Sequence, residues 1–156
     1  VLGILEIVGA AAGGDYWLKP LDGIRATASG QAIEHEEAFS PVKSLGDLDG
    51  ALAAAGQNGT MLDFYADWCV ECKRMERNTF PVPAVAQLMG ELQLLQADVT
   101  ANDDTDQALM KKFGIIGPPA ILFFDRQGQE MKRYRLVGYF EPEEFAAHLE
   151  KVLAAR

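Results

Sequence analysis

One stretch constrains this chain more than any other: Met61 to Lys73, reading MLDFYADWCVECK. A short run of strand-forming residues, Met61 to Ala66, leads through Asp67-Trp68 into the only two cysteines, Cys69 and Cys72. Lys73, Arg74, Met75 and Glu76 behind them read as helix. A strand that delivers a Cys-x-x-Cys pair to a helix start places the first sulfur beside unpaired backbone N–H groups at the positive end of the helix dipole. Both favour a thiolate at Cys69. Cys72 follows one turn later, close enough to close a disulfide with Cys69.

Such a bridge is a poor staple. The chain-entropy estimate for its very short loop is about 2 kcal/mol, against about 3 kcal/mol for a fifteen-residue loop. The pair is therefore expected to be redox-active, not structural. A zinc site would need two further ligands. The two histidines, His35 and His148, lie far from the pair and from each other in sequence, so no metal is expected. The 156 residues suffice for one domain with a sizeable core. A net charge of −9 and the lack of any basic stretch argue against nucleic acid as a partner.

The opening residues VLGILEIVGAAAGG are apolar for about a dozen positions apart from Glu6. That is shorter than the roughly 20 residues needed to cross a bilayer, and the basic flank of a signal peptide is missing. Two readings follow: the severed end of a transmembrane helix, or an apolar element packed on the domain. Asp15 to Phe39 has no sustained periodicity and reads as a linker, with Trp17 an anchor and His35 solvated. Residues 1–38 are thus expected to precede a domain of residues 39–156.

From Phe39 onward the chain alternates. An edge strand is expected over Phe39–Lys43, then a helix from N-cap Ser44 to about Ala55 with Leu45, Leu48 and Leu52 on one face. The strand Met61–Ala66 and a cysteine helix over Cys69–Arg77 follow. Pro81 and Pro83 interrupt that helix, and another covers Ala84–Met89. Gln93–Val99 is the next strand, and a helix runs over about Asp104–Phe113. Ile121–Phe124 and Lys132–Gly138 read as a hairpin about the turn Asp125–Gln129. A last helix starts at Glu141 or Pro142, ends near Leu153 and turns Phe145, Leu149 and Val152 inward. The order β-α-β-α-β-α-β-β-α predicts an α/β fold, a mixed sheet with helices on both faces.

A Cys-x-x-Cys between strand and helix in this order resembles the redox site of thioredoxin-like proteins. Asp63, six residues before Cys69, stands where thioredoxins carry a buried carboxylate, and Trp68 precedes the first cysteine as it does there. Gly114-Ile115-Ile116-Gly117-Pro118-Pro119 resembles their cis-proline loop, which makes Pro119 the cis residue. YADWCVECK at Tyr65–Lys73, LLQADVTANDDTD at Leu94–Asp106 and ILFFDRQGQE at Ile121–Glu130 narrow the likeness. They resemble the C-terminal periplasmic domain of the DsbD thiol:disulfide interchange proteins of bacterial inner membranes.

That resemblance implies a thioredoxin-like fold and a disulfide-reductase role. The domain would relay electrons from a membrane-embedded domain to an N-terminal periplasmic domain of the same longer protein, on the periplasmic side of the inner membrane. It implies no cofactor beyond the Cys69–Cys72 pair and favours the severed-helix reading of the N-terminus. Cys69 would be the nucleophile and Cys72 the resolving thiol. Asp63 and Glu76, with Asp67 and Glu71 adding negative charge, would disfavour the thiolate, which suits a reductant; Asp63 or Glu76 would also accept a proton. Trp68 is expected to shield the disulfide, and Pro118 and Pro119 to line the site. Two departures stand out: Pro118 occupies the position before the cis-proline, and Ala120 replaces a common threonine. Proline has no N–H, so a partner strand could pair only with the Pro118 carbonyl. The alternatives are a thioredoxin-like isomerase or oxidase, separable by reduction potential, and a thioredoxin-fold binding module with inert cysteines.

Overall fold

The computed structural model describes residues 38–156, and the compact unit it defines is Ala38–Arg156. The expectations for the apolar N-terminus, the linker, Trp17 and His35 lie outside the described residues. Five strands form one sheet: β1 (Ser40–Pro41), β2 (Thr60–Tyr65), β3 (Gln93–Asp98), β4 (Ala120–Phe124) and β5 (Leu136–Val137). Their order across the sheet is β1-β3-β2-β4-β5. The β1–β3 and β2–β3 pairs are parallel, whereas β2–β4 and β4–β5 are antiparallel. The helices are α1 (Leu45–Ala54), α2 (Val70–Arg74), α3 (Pro83–Met89), α4 (Asp104–Lys112) and α5 (Pro142–Ala155).

Strand periodicity explains why the sheet has two cores. On one face Leu62 and Phe64 of β2 meet Leu122 and Phe124 of β4, Leu95 and Ala97 of β3, Leu48 of α1 and Leu109 of α4. On the other, Met61, Ile121 and Phe123 meet Val85 and Met89 of α3 and Phe145, Leu149 and Val152 of α5. A central strand buried on both faces reads as a continuous apolar run, and Thr60–Phe64 is wholly buried.

Local chemistry sets the helix starts. Ser44 Oγ accepts from the Asp47 N–H at 3.1 Å while Asp47 Oδ2 accepts from the Ser44 N–H at 2.9 Å, a capping box. Asp103 and Asp106 repeat the device at α4.

Three expectations need correction. The first edge strand shrinks from Phe39–Lys43 to two residues. The cysteine helix does not end at Arg77. It passes from α2 into a π-turn, Met75–Thr79, closed by the Phe80 N–H donating to the Met75 carbonyl at 2.9 Å, and stops only before Pro81. The second hairpin arm is not one strand over Lys132–Gly138. A 3₁₀ turn, Lys132–Tyr134, intervenes before β5. The reason lies in α5: His148 Nε2 binds the Tyr134 carbonyl at 2.7 Å and its ring stacks edge-on with Tyr134. These contacts draw Tyr134 off the ladder. Among the described residues no helix is long and apolar enough to cross a membrane.

Candidate active site

The site sits where β2 ends and β4 begins. Phe64 pairs with Ala120, so the chain leaving β2 toward Cys69 and the chain entering β4 from Pro119 occupy the same end of the sheet. Cys69 is the N-cap of α2 with extended backbone, φ −85° and ψ 102°. The Cys72 N–H donates to Cys69 Sγ at 3.2 Å. This contact is the local reason the first sulfur can hold negative charge: a helix-start N–H with no intrahelical carbonyl points at it. Cys69 and Cys72 are joined in a disulfide with Cα atoms 5.3 Å apart. Both are buried, at 5% and 3% exposure. Cys72 Sγ lies 3.8 Å from the Phe64 carbonyl. A disulfide sulfur carries no hydrogen, so this becomes an S–H···O bond only when the bridge is reduced.

One residue before Phe64, alternation turns Asp63 to the Met61 side of β2. Asp63 is 4% exposed, and its Oδ2 accepts from Gln96 Nε2 at 3.2 Å. Burial pushes its carboxyl up to about 7; the Gln96 bond opposes this and the charge of Glu76 adds to it. Glu76, the second residue of the π-turn, is thus within electrostatic reach of Asp63. Tyr65 is also affected: desolvation, the Asp67 bond and the surrounding carboxylates, Glu76 among them, push its phenol up to about 12.

The rim is polar and partly apolar. The Asp67 N–H donates to Thr100 Oγ1 at 2.9 Å, and Tyr65 Oη donates to Asp67 Oδ1 at 3.0 Å. Trp68 stands on this rim between Asp67 and Cys69. It is 59% exposed, and its indole N–H donates to the Thr100 carbonyl at 3.3 Å, which fixes the ring toward the β3–α4 loop. Glu71 pairs with Arg74 at 2.8 Å, and the Arg74 guanidinium stacks 4.0 Å over the Tyr139 ring. The Pro118–Pro119 peptide bond is cis, the isomer expected there, and Ile116 beside it is fully exposed. The Gly138 N–H donates to the Pro119 carbonyl at 3.2 Å.

Gln96 escaped the sequence reading, although a signal existed. Parallel pairing of β2 with β3 sets Asp63 opposite Gln96, and a glutamine between the buried Leu95 and Ala97 asks for a polar partner on the neighbouring strand. No group of three or more His, Cys, Asp or Glu side chains able to hold a metal occurs among the described residues.

A thioredoxin-like domain model matches residues 48–153. The solved C-terminal domain of Neisseria meningitidis DsbD, in its reduced form, superposes with a TM-score of 0.58 at 36% identity. The match covers 67% of this chain and 89% of that one. The chain belongs to the thioredoxin-like family of DsbD C-terminal domains. The oxidised form of the same Neisseria domain superposes with a TM-score of 0.59, also at 36% identity, over 67% of this chain and 88% of that one. The thiol:disulfide interchange protein DsbD of Ralstonia nicotianae is 47% identical over 154 residues, 97% of this chain but 25% of the relative. The chain therefore spans about a quarter of the length of the curated DsbD relatives it matches. As a DsbD-type C-terminal domain with a Cys69–Cys72 pair, it is a thiol–disulfide exchange module.

Proposed function

We propose that the module works as a protein-disulfide reductase with Cys69 as the attacking sulfur. The observation that carries this is the Cys72 N–H aimed at Cys69 Sγ, which gives the first sulfur a partner for its negative charge. In the reduced module the Cys69 thiolate attacks one sulfur of a partner disulfide. That S–S bond breaks, the other partner sulfur leaves as a thiolate, and a mixed disulfide forms. Cys72 loses its proton and attacks Cys69 Sγ. The second partner sulfur leaves, and the module ends as the Cys69–Cys72 disulfide. Two electrons pass from module to partner, and no cofactor beyond the two sulfurs takes part.

Asp63 and Glu76 tune this step. Negative charge beside the sulfurs makes the thiolate costlier and weakens the module as an oxidant. A carboxyl that titrates near neutrality can also take the Cys72 proton. Trp68, Pro118 and Pro119 line the partner's path. Pro118 offers a carbonyl but no N–H, so a docked strand gains at most one main-chain bond there.

The longer relatives support the wider assignment. This domain receives electrons from a membrane-embedded domain of the same protein and passes them to its N-terminal periplasmic domain, on the periplasmic side of a bacterial inner membrane. Two measurements test the proposal. Equilibration with glutathione is expected to give a potential closer to the roughly −270 mV of thioredoxin than to the roughly −120 mV of a strong oxidant; a value near the latter overturns the reductant reading. Cys72→Ser is expected to trap a mixed disulfide at Cys69. A stable mixed disulfide formed instead by Cys69→Ser, through Cys72, would reverse the assignment of the two sulfurs.

A further inference from the structure

The two sides of the disulfide site come from distant parts of the chain, and a three-residue segment joins them. Gly138, Tyr139 and Phe140 follow β5 directly. The Gly138 N–H holds the carbonyl of Pro119. Tyr139 carries the Arg74 guanidinium on its ring. The Phe140 N–H points at Met75 Sδ at 3.3 Å, and its carbonyl accepts from Thr79 Oγ1 at 2.7 Å. Met75 and Thr79 open and close the π-turn that continues the cysteine helix, and both are buried, Thr79 completely. The strap thus runs from the cis-proline loop to the helix that carries Cys72.

Its geometry is specific. Gly138 has φ +96°, a left-handed conformation that side-chain-bearing residues rarely adopt, and this turn swings the chain from β5 onto the π-turn. There Met75 and Thr79, at the two ends of the π-turn, grip the N–H and the carbonyl of one strap residue. A buried hydroxyl needs a partner, and the one Thr79 finds is the strap's own backbone, where sheet pairing has ended.

We propose that Thr79 is a positioning residue for exchange with protein disulfides. Through Phe140 and Gly138 it holds the Pro119 edge at a set distance from Cys69 and Cys72, so that a partner chain lying along Pro118 presents its sulfur in line with Cys69. The proposal rests on the reductase reading above. It also separates two classes of substrate. A protein disulfide must dock a chain along the cis-proline edge before its sulfur is in place, and small displacements of positioning groups are costly to such reactions. A small disulfide reaches Cys69 without that edge.

The test uses the full chain, reduced beforehand, in single-turnover reactions with insulin as the protein disulfide and glutathione disulfide as the small one. Thr79→Val keeps the shape of the side chain and removes its hydrogen bond. It is expected to slow insulin reduction about fivefold, the weight of one hydrogen bond, and to leave the glutathione disulfide rate within about twofold. Thr79→Ser restores the hydroxyl and is expected to restore the insulin rate. Met75→Leu, which removes only the weaker sulfur acceptor, is expected to give a smaller loss confined to insulin. Equal insulin rates for Thr79→Val and the parent overturn the proposal, as does an equal loss on both disulfides or failure of Thr79→Ser to recover. Should Thr79→Val fail to fold, Met75→Leu decides, and parent-like insulin reduction by it counts against the strap. A parent protein that reduces neither disulfide overturns the reductase reading itself, whereas an active parent matched by Thr79→Val removes only the strap.

Discussion

Two aspartates are buried in this domain, and their surroundings treat them in opposite ways. Asp106, 1% exposed, sits at the start of α4. Its Oδ1 meets Lys43 Nζ at 2.5 Å, its Oδ2 accepts from the Asp103 N–H at 3.3 Å, and its own N–H donates to Asp103 Oδ1 at 2.9 Å. Lys43 also reaches Asp103 Oδ2 at 2.9 Å. The bonds to Asp106 and then Asp103 hold the Lys43 ammonium above its usual range, and the Asp106 backbone N–H followed by Lys43 holds the Asp103 carboxyl below its own. Asp63, on the central strand, meets a neutral amide and a second carboxylate. A buried carboxylate answered by a cation and by backbone N–H groups fastens an element down. One answered by an amide and faced by negative charge becomes a group that exchanges its proton near neutrality. The first arrangement ties the segment after β1 to the start of α4; the second lies on the central strand that leads to Cys69.

The largest effect that would sharpen this contrast is expected at Asp63. Its carboxyl rises from 3.8 to about 7 on folding, so the folded state holds the proton more tightly than the unfolded one. No penalty exists below the unfolded value of 3.8. Stability falls as pH rises from there to about 7 and is flat above. Asp63→Asn removes the charge and keeps an oxygen for Gln96. It is expected to be more stable than the parent by up to about 4 kcal/mol at pH 8, with the gain shrinking to nothing near pH 4. Urea unfolding across that range measures it, and a pH-independent difference would break the comparison. The same variant is expected to lose reductase rate at neutral pH, since it cannot take the Cys72 proton.

Asp106→Asn is expected to go the other way. It loses the charged bond to Lys43 and weakens the α4 capping box, destabilising the fold by about 1–2 kcal/mol at pH 7. Its reductase rate should match the parent's, because the polar partners of Asp106 are Lys43 and Asp103 and not the site residues. A stabilised Asp106→Asn would show that the two aspartates do not differ in kind. The smallest effect is expected from Glu76→Gln. Removing that charge lowers the titration midpoint of Asp63 from about 7, with the direction given by the repulsion it relieves. Carboxyl NMR against pH reads the midpoint, and an unmoved midpoint would place Glu76 out of electrostatic contact with Asp63.

Much of the site was legible before any coordinates. Cys69 at a helix start, Asp63 on the strand before it, and Pro118-Pro119 leading into β4 are all local patterns, and the fold contains each of them. Trp68 shows the limit. The direction of its ring depends on the Thr100 carbonyl, far along the chain, which accepts its N–H. The cysteine helix shows another. A switch from α to π winding changes no residue type, so the continuation of the helix past Arg77 left no mark in the periodicity.

What the sequence determined by itself was everything set by near neighbours along the chain. The capping box at Ser44, the alternation that buries both faces of β2 and β4, the inward row Phe145, Leu149 and Val152, and the placing of Cys69 and Cys72 one turn apart belong here, because backbone hydrogen bonds and side-chain period act over a few residues. Only the tertiary structure decided what the site's groups face. Asp63 meets Gln96 through a strand register fixed by two packed cores, Glu76 in the π-turn lies within electrostatic reach of Asp63, and Thr79 reaches Phe140 across 61 residues. Such pairings depend on which of many compatible surfaces pack together, and that choice is made by the whole core at once.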